Sequence, residues 1–123
     1  MPRLLTAMLD WSDGTWLEQR AAVAALCEPA LVRDEAAAAG VLRVLDRITA
    51  SMASARDRDD DLRVLRQTLG YGWSVAIVGA PEVGTQLFGR WMASEDRDVR
   101  WMVRENLKKA RLDKIYRAQS GET

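Results

Sequence analysis

Apolar residues recur three and four apart along most of this chain, and no segment alternates apolar with polar. Ala38, Val41, Leu45, Ile48 and Met52 form one such run, and Leu62, Leu65, Leu69, Trp73 and Ala76 form another. This spacing paints a stripe along one face of a helix, whereas a half-buried strand needs a period of two. The residues between are largely Ala, Leu, Arg and Glu, which lose little on entering a helix. The fold class read from the sequence is therefore all-α. Gly and Pro number 8 and 3 in 123 residues and fall at punctuation points. Short connections make sequential helices antiparallel neighbours. The expectation is five to six helices, arranged either as a plain bundle or as a short right-handed α-solenoid, a stack of antiparallel helical hairpins.

The punctuation sets expected boundaries. A first helix is placed over Pro2–Trp11 and ends at the turn Ser12-Asp13-Gly14. A second runs Thr15–Glu28, its stripe marked by Trp16, Leu17, Ala21, Ala24 and Cys27 or Glu28. A third covers Pro29–Ala53, with a bend at Arg33-Asp34. Arg56–Asp61 reads as a charged loop whose Asp60 or Asp61 caps a fourth helix, Leu62–Ala80. That helix is apolar on two sides, Leu62, Leu65, Leu69, Trp73 and Ala76 on one and Val64, Tyr71, Val75 and Val78 on the other, which predicts a place between two layers. Its Gly70, Gly72 and Gly79 each cost about 1 kcal/mol against Ala, repaid by close approach of neighbouring helices or else marking a kink. Pro81 opens a fifth helix, Pro81–Met92, burying Val83, Leu87, Phe88 and Trp91. A sixth runs Arg97–Arg117. Residues 1–117 thus form one domain and 118–123 a flexible tail.

Composition excludes several chemistries. The chain has 0 His, which removes the commonest general base near neutral pH, the Ser-His and Cys-His pairs and most zinc sites. With 1 Cys it has no internal disulfide, and Cys27 reads as a small core residue in a cytoplasmic protein. The run Leu4–Leu9 is cut by Asp10, too short for a signal-peptide core, and no stretch is long enough for a membrane span. Asp57-x-Asp59-x-Asp61 opens like a calcium loop but carries Leu62 and Thr68 where Gly and Glu are needed, so it reads as a capping cluster. Gly84-x-x-x-x-Gly89-Arg90-Trp91 lacks the Lys and Ser/Thr of a phosphate loop, and its glycines read as tight helix contacts. Asn106 sits amid the apolar side of the last helix and is expected to satisfy backbone groups of a neighbouring turn. No catalytic residue, metal or cofactor is assigned, and the chain is read as not an enzyme.

Two segments look alike: Asp13–Leu26 and Asp96–Leu107, each an acidic turn, then an Arg, then an apolar helical run ending in Leu, aligned with a one-residue gap. The pattern Asp96-Arg97-Asp98-Val99-Arg100 resembles the start of a HEAT-repeat helix, where Asp and Arg tie one repeat to the next. The stretch Leu65–Ala76, through Pro81 and Trp91 to Asn106–Leu112, is similar to the C-terminal part of bacterial HEAT-like proteins, including relatives of the DNA alkylation repeat proteins. The resemblance covers Leu62–Leu112 best. A repeat takes roughly 40–47 residues, so the chain holds at most about three. The resemblance implies an armadillo-like α-solenoid that binds rather than catalyses. The catalytic Asp of the DNA alkylation repeat glycosylases matches no residue here, and that activity is not carried over.

Charge is even overall, 18 Lys+Arg against 18 Asp+Glu, but not evenly spread. Residues 97–123 hold eight basic and four acidic side chains, residues 1–96 ten and fourteen. At about 100° per residue, Arg97, Arg100, Arg104, Lys108 and Arg111 fall on one stripe, with Trp101 at its edge. The ridge is read either as a solvated face, with Arg100 tied to acidic turn residues, or as a binding face formed by Arg97, Arg100, Trp101, Arg104, Lys108 and Arg111. The function expected is a protein-interaction scaffold binding an acidic partner through this ridge. The alternative is a nucleic-acid-binding module, and a homodimer would hide an open end of the stack.

Overall fold

The computed structural model describes residues 14–27, 33–56 and 58–120, so the helix expected at Pro2–Trp11, the segment 28–32 and the extreme C-terminus lie outside the described residues. These residues hold six helices and no strand: α1 (Trp16–Leu26), α2 (Glu35–Ala53), α3 (Asp60–Gly79), α4 (Pro81–Met92), α5 (Arg97–Leu107) and α6 (Ala110–Gln119). None is long and apolar enough to cross a membrane.

Local chemistry starts each helix. Thr15 and Glu18 form a reciprocal capping box on α1. Asp34 accepts from the Ala37 N–H at 2.9 Å, so Arg33-Asp34 is the start of α2 and not a bend within it. Asp59 accepts from Leu62 N–H at 3.0 Å and caps α3, displacing the expected Asp60 or Asp61, which lie inside the first turn and favour the helix through its dipole. Pro81 occupies the first turn of α4, whose bounds agree with the sequence reading.

α3 is the centre of the molecule and packs against each of the other five helices. The stripe Leu62, Leu65, Leu69, Trp73 and Ala76 is buried as expected. The second apolar side is buried only in part: Val75 is inside, but Tyr71 and Val78 face solvent. The layers around α3 close over one broad face and leave a strip uncovered. Two glycines admit the neighbours. A Cβ on Gly72 would stand 3.0 Å from Val23 Cγ1 of α1, and one on Gly70 would stand 3.1 Å from the Trp101 ring of α5. Gly84 does the same for α4, where a Cβ would come within 3.0 Å of the Ile77 Cα, whereas Gly89 faces open space and is no tight contact.

On α1 the buried stripe is Gln19, Ala22, Val23, Leu26 and Cys27, not Leu17, Ala21 and Ala24, which are exposed. An Ala-rich helix looks apolar on several faces, and the bulk of Val23 and Leu26 decides which one turns inward. On α2 the predicted stripe is fully buried. On α4, Phe88 is the fully buried side chain, with Val83, Leu87 and Trp91 partly covered.

Trp73 anchors the core. Its ring lies 5.5 Å from that of Phe88, and its Nε1 donates to Thr49 Oγ1 at 3.0 Å, while the Thr49 hydroxyl donates to the Leu45 carbonyl at 2.7 Å. Asn106, wholly buried, satisfies α3 from outside: its Oδ1 accepts from Ser74 N–H at 2.9 Å and its Nδ2 donates to the Leu69 carbonyl at 2.8 Å. The expected role of this amide holds, on the turn that carries Gly70 and Gly72.

Candidate functional site

The helix expected over Arg97–Arg117 is two helices. It breaks at Lys108-Lys109, where Lys108 closes α5 and Lys109 precedes α6 with no side-chain cap. The five-residue basic stripe therefore does not continue as one ridge. Arg97, Arg100, Arg104 and Lys108 stay with α5, and Arg111 belongs to α6. All five are exposed.

α5 is strongly two-sided. Val99, Met102, Val103 and Asn106 face the core. Around the other face, Arg66, Glu95, Arg97, Arg100, Trp101 and Arg104 line an open groove of about 380 Å³. Arg97, Arg100 and Arg104 form no ion pair among the described residues. Lys108 does not line this groove and is taken up by Glu105, its Nζ 2.7 Å from Glu105 Oε2. That contact, with the fields of Lys108, Lys109 and Arg104, outweighs local burial, which acts in the opposite direction, and leaves the Glu105 carboxyl below its ordinary pKa.

The acidic residues at the start of α5 are spoken for, but not by Arg100. Asp96 caps the helix, its Oδ2 accepting from the Asp98 and Val99 N–H groups, and its Oδ1 receives Arg58 Nη2 at 2.7 Å. Asp98, buried, accepts from Arg58 Nη1 and, at 2.9 Å, from Arg66 Nη1. Burial pushes the Asp96 carboxyl up, but hydrogen bonds from Arg58 and the two backbone amides outweigh it and hold the pKa below the ordinary carboxylate value. The same bonds, Asp96 first and then Asp98, raise the Arg58 guanidinium. The Arg66 guanidinium also lies 4.5 Å from the centroid of the Trp101 ring, a cation–π contact. The inner carboxylates are thus neutralised by Arg58 and Arg66, which leaves Arg97, Arg100 and Arg104 in excess over Glu95, the one acidic residue lining their groove.

Trp101 is half-buried, seated on Gly70 with Arg66 over its ring. It builds the groove wall as well as packing on a neighbouring helix, so both readings of this residue describe part of its setting. Arg58 and Arg66 were not singled out from the sequence. Arg66 lies one turn from Leu62 on a helix read only for its apolar faces, and Arg58 lies in a stretch read as a solvated loop.

A second, smaller groove opens on the opposite flank of α5. It measures about 140 Å³ and is lined by Trp91, Met92, Arg100, Val103 and Arg104. Trp91 is fixed there by its Nε1, which donates to Asp46 Oδ1 at 2.8 Å. Among the described residues no group of three or more His, Cys, Asp or Glu is placed to hold a metal ion.

Fold and site together define an all-helical protein with a basic, tryptophan-flanked face. The chain matches no family model, no curated protein and no solved structure.

Proposed function

We propose that this chain is a non-catalytic, HEAT-like interaction module that binds an acidic protein segment through α5. The observation that carries the reading is the set Arg97, Arg100 and Arg104, exposed around one groove and without ion-pair partners among the described residues, while Asp96 and Asp98 beside them are already satisfied from inside and Glu95 is the one acidic residue lining the groove. Surface charges arranged this way cost self-repulsion and give steering toward an anionic partner. The HEAT-like arrangement draws support from packing: α1 lies against α3 and α3 against α5, while α2 lies against α4, so that helices meet those two places along. It draws further support from the Asp96 and Asp98 ties to Arg58 and Arg66, which join the start of α5 to the neighbourhood of the α3 start, although the motif's own Arg97 and Arg100 take no part in them. The absence of His in the sequence leaves a binding role as the simplest chemistry, and a cytoplasmic setting goes with the lone cysteine.

A nucleic-acid partner is the second reading, favoured by Trp101 standing among arginines, a pairing suited to stacked bases. Binding of a fluorescent Glu-rich peptide and of duplex DNA at two salt concentrations separates the two. The acidic-partner reading expects tighter peptide binding, weakened at least about tenfold by Arg100→Glu with Arg104→Glu while the helical circular dichroism and melting temperature hold. Tighter DNA binding with a steep salt dependence overturns it.

A further inference from the structure

We infer that the partner segment carries a large apolar side chain beside its acidic residues, and that the ridge of Arg100 and Arg104 divides the face into two grooves that read these two features separately. This rests on the acidic-partner reading above and adds an apolar determinant to it. Arg100 and Arg104 line both grooves: the charged one with Arg97 and Trp101, and the smaller one with Trp91, Met92 and Val103. A carboxylate held by either guanidinium therefore lies beside the small groove, within reach of an adjacent residue's side chain.

The small groove is built for an apolar group. Met92 is 46% exposed, one of the few large apolar side chains left in solvent, and its thioether is held in place by Tyr116, whose hydroxyl donates to Met92 Sδ at 3.4 Å. Val103 supplies an almost buried floor, and Trp91 has its one polar atom engaged by Asp46. The stems of Arg100 and Arg104 add aliphatic surface beneath their charges. At about 140 Å³ the space compares with the apolar cavity of about 150 Å³ that takes one benzene ring, which fits a Phe or Leu side chain. A methionine wall adapts to either.

Other occupants fit less well. A phosphate backbone would use the arginines but has nothing to place against Met92 and Val103. A second copy of this chain could offer its acidic run Asp59-Asp60-Asp61, but the apolar residue next to that run, Leu62, is 2% exposed and cannot leave its core.

The test uses two labelled peptides rich in Asp and Glu, identical except for a central Phe in one and Ser in the other, with duplex DNA alongside. The expected result is about tenfold tighter binding of the Phe peptide, the gain from burying one aromatic side chain. Met92→Ser should shrink that margin to about twofold or less and leave the Ser peptide's affinity unchanged, because Met92 touches only the small groove. Arg100→Glu with Arg104→Glu should abolish both. Equal binding of the two peptides, or a Phe preference that survives Met92→Ser, overturns the two-groove inference while leaving the acidic-partner reading in place. Failure of both peptides to bind at low salt, or DNA binding tighter than either, overturns the two together.

Discussion

A few side chains in this molecule do more than fill space, and each predicts a different response to substitution. Trp73 fills the core against Phe88 and spends its indole N–H on Thr49. Trp73→Ala should cost about 3–5 kcal/mol, enough to unfold a domain of this size, and thermal melting reads it directly. Asn106 answers two backbone groups of α3. Asn106→Leu keeps the bulk but leaves polar groups in an apolar setting, at a cost of about 1–3 kcal/mol in chemical denaturation. The glycines of α4 should split in sign. Gly84→Ala pushes a methyl group into the Ile77 backbone and destabilises by about 1–3 kcal/mol. Gly89→Ala meets nothing within 4 Å and should stabilise by up to about 1 kcal/mol through helix propensity. From the sequence the two positions look the same. Only the neighbour across the gap separates them.

At the scale of the helix, ends are set by single side chains. Asp59, and not Asp60 or Asp61, accepts the free Leu62 N–H in the first turn of α3. Asp59→Ala should therefore cost about 1 kcal/mol, and Asp61→Ala only a few tenths, measured as paired melting shifts. An Asp triplet offers three equivalent caps to a reader of the sequence. The choice falls on the residue whose backbone is extended, and that depends on how the chain enters from Arg58. The break between α5 and α6 has a similar origin. Nothing at Lys108-Lys109 is a helix breaker, so a continuous helix is the natural reading of Arg97–Arg117. The chain instead turns there, which buries Leu112 and brings Tyr116 to Met92.

For the molecule as a whole, the ionic ties from Arg58 and Arg66 to Asp96 and Asp98 join the start of α3 to the start of α5. They give stability a pH dependence. Asp96 has its pKa lowered by folding, so its contribution is fully present above the unfolded value, about 4, and is lost as the pH falls through the lower folded value. The expected result is a melting temperature that drops below about pH 4. Arg58→Ala should lower the melting temperature at neutral pH and flatten the acid limb, because the hydrogen bond that depresses Asp96 is gone. An acid limb unchanged in that variant would show that the carboxylates elsewhere carry it.

The sequence by itself determined the helical class, the stripes of α2 and α3, the bounds of α4 and the inward place of Trp73 and Asn106, because these depend on periodicity and on the cost of burying a polar group. It also located an excess of arginine on α5, since three- and four-residue spacing on one helix is a one-dimensional fact. Tertiary structure alone decided which of those cations face a groove. Arg58 and Arg66 reach Asp98 from 40 and 32 residues away and leave Arg97, Arg100 and Arg104 without an ion pair among the described residues. Met92 of α4 meets Arg100 and Val103 of α5 across the junction of two helices, a proximity that no helical spacing encodes. Periodicity describes one helix at a time, whereas a site between helices exists only once side chains distant in sequence have paid their desolvation together.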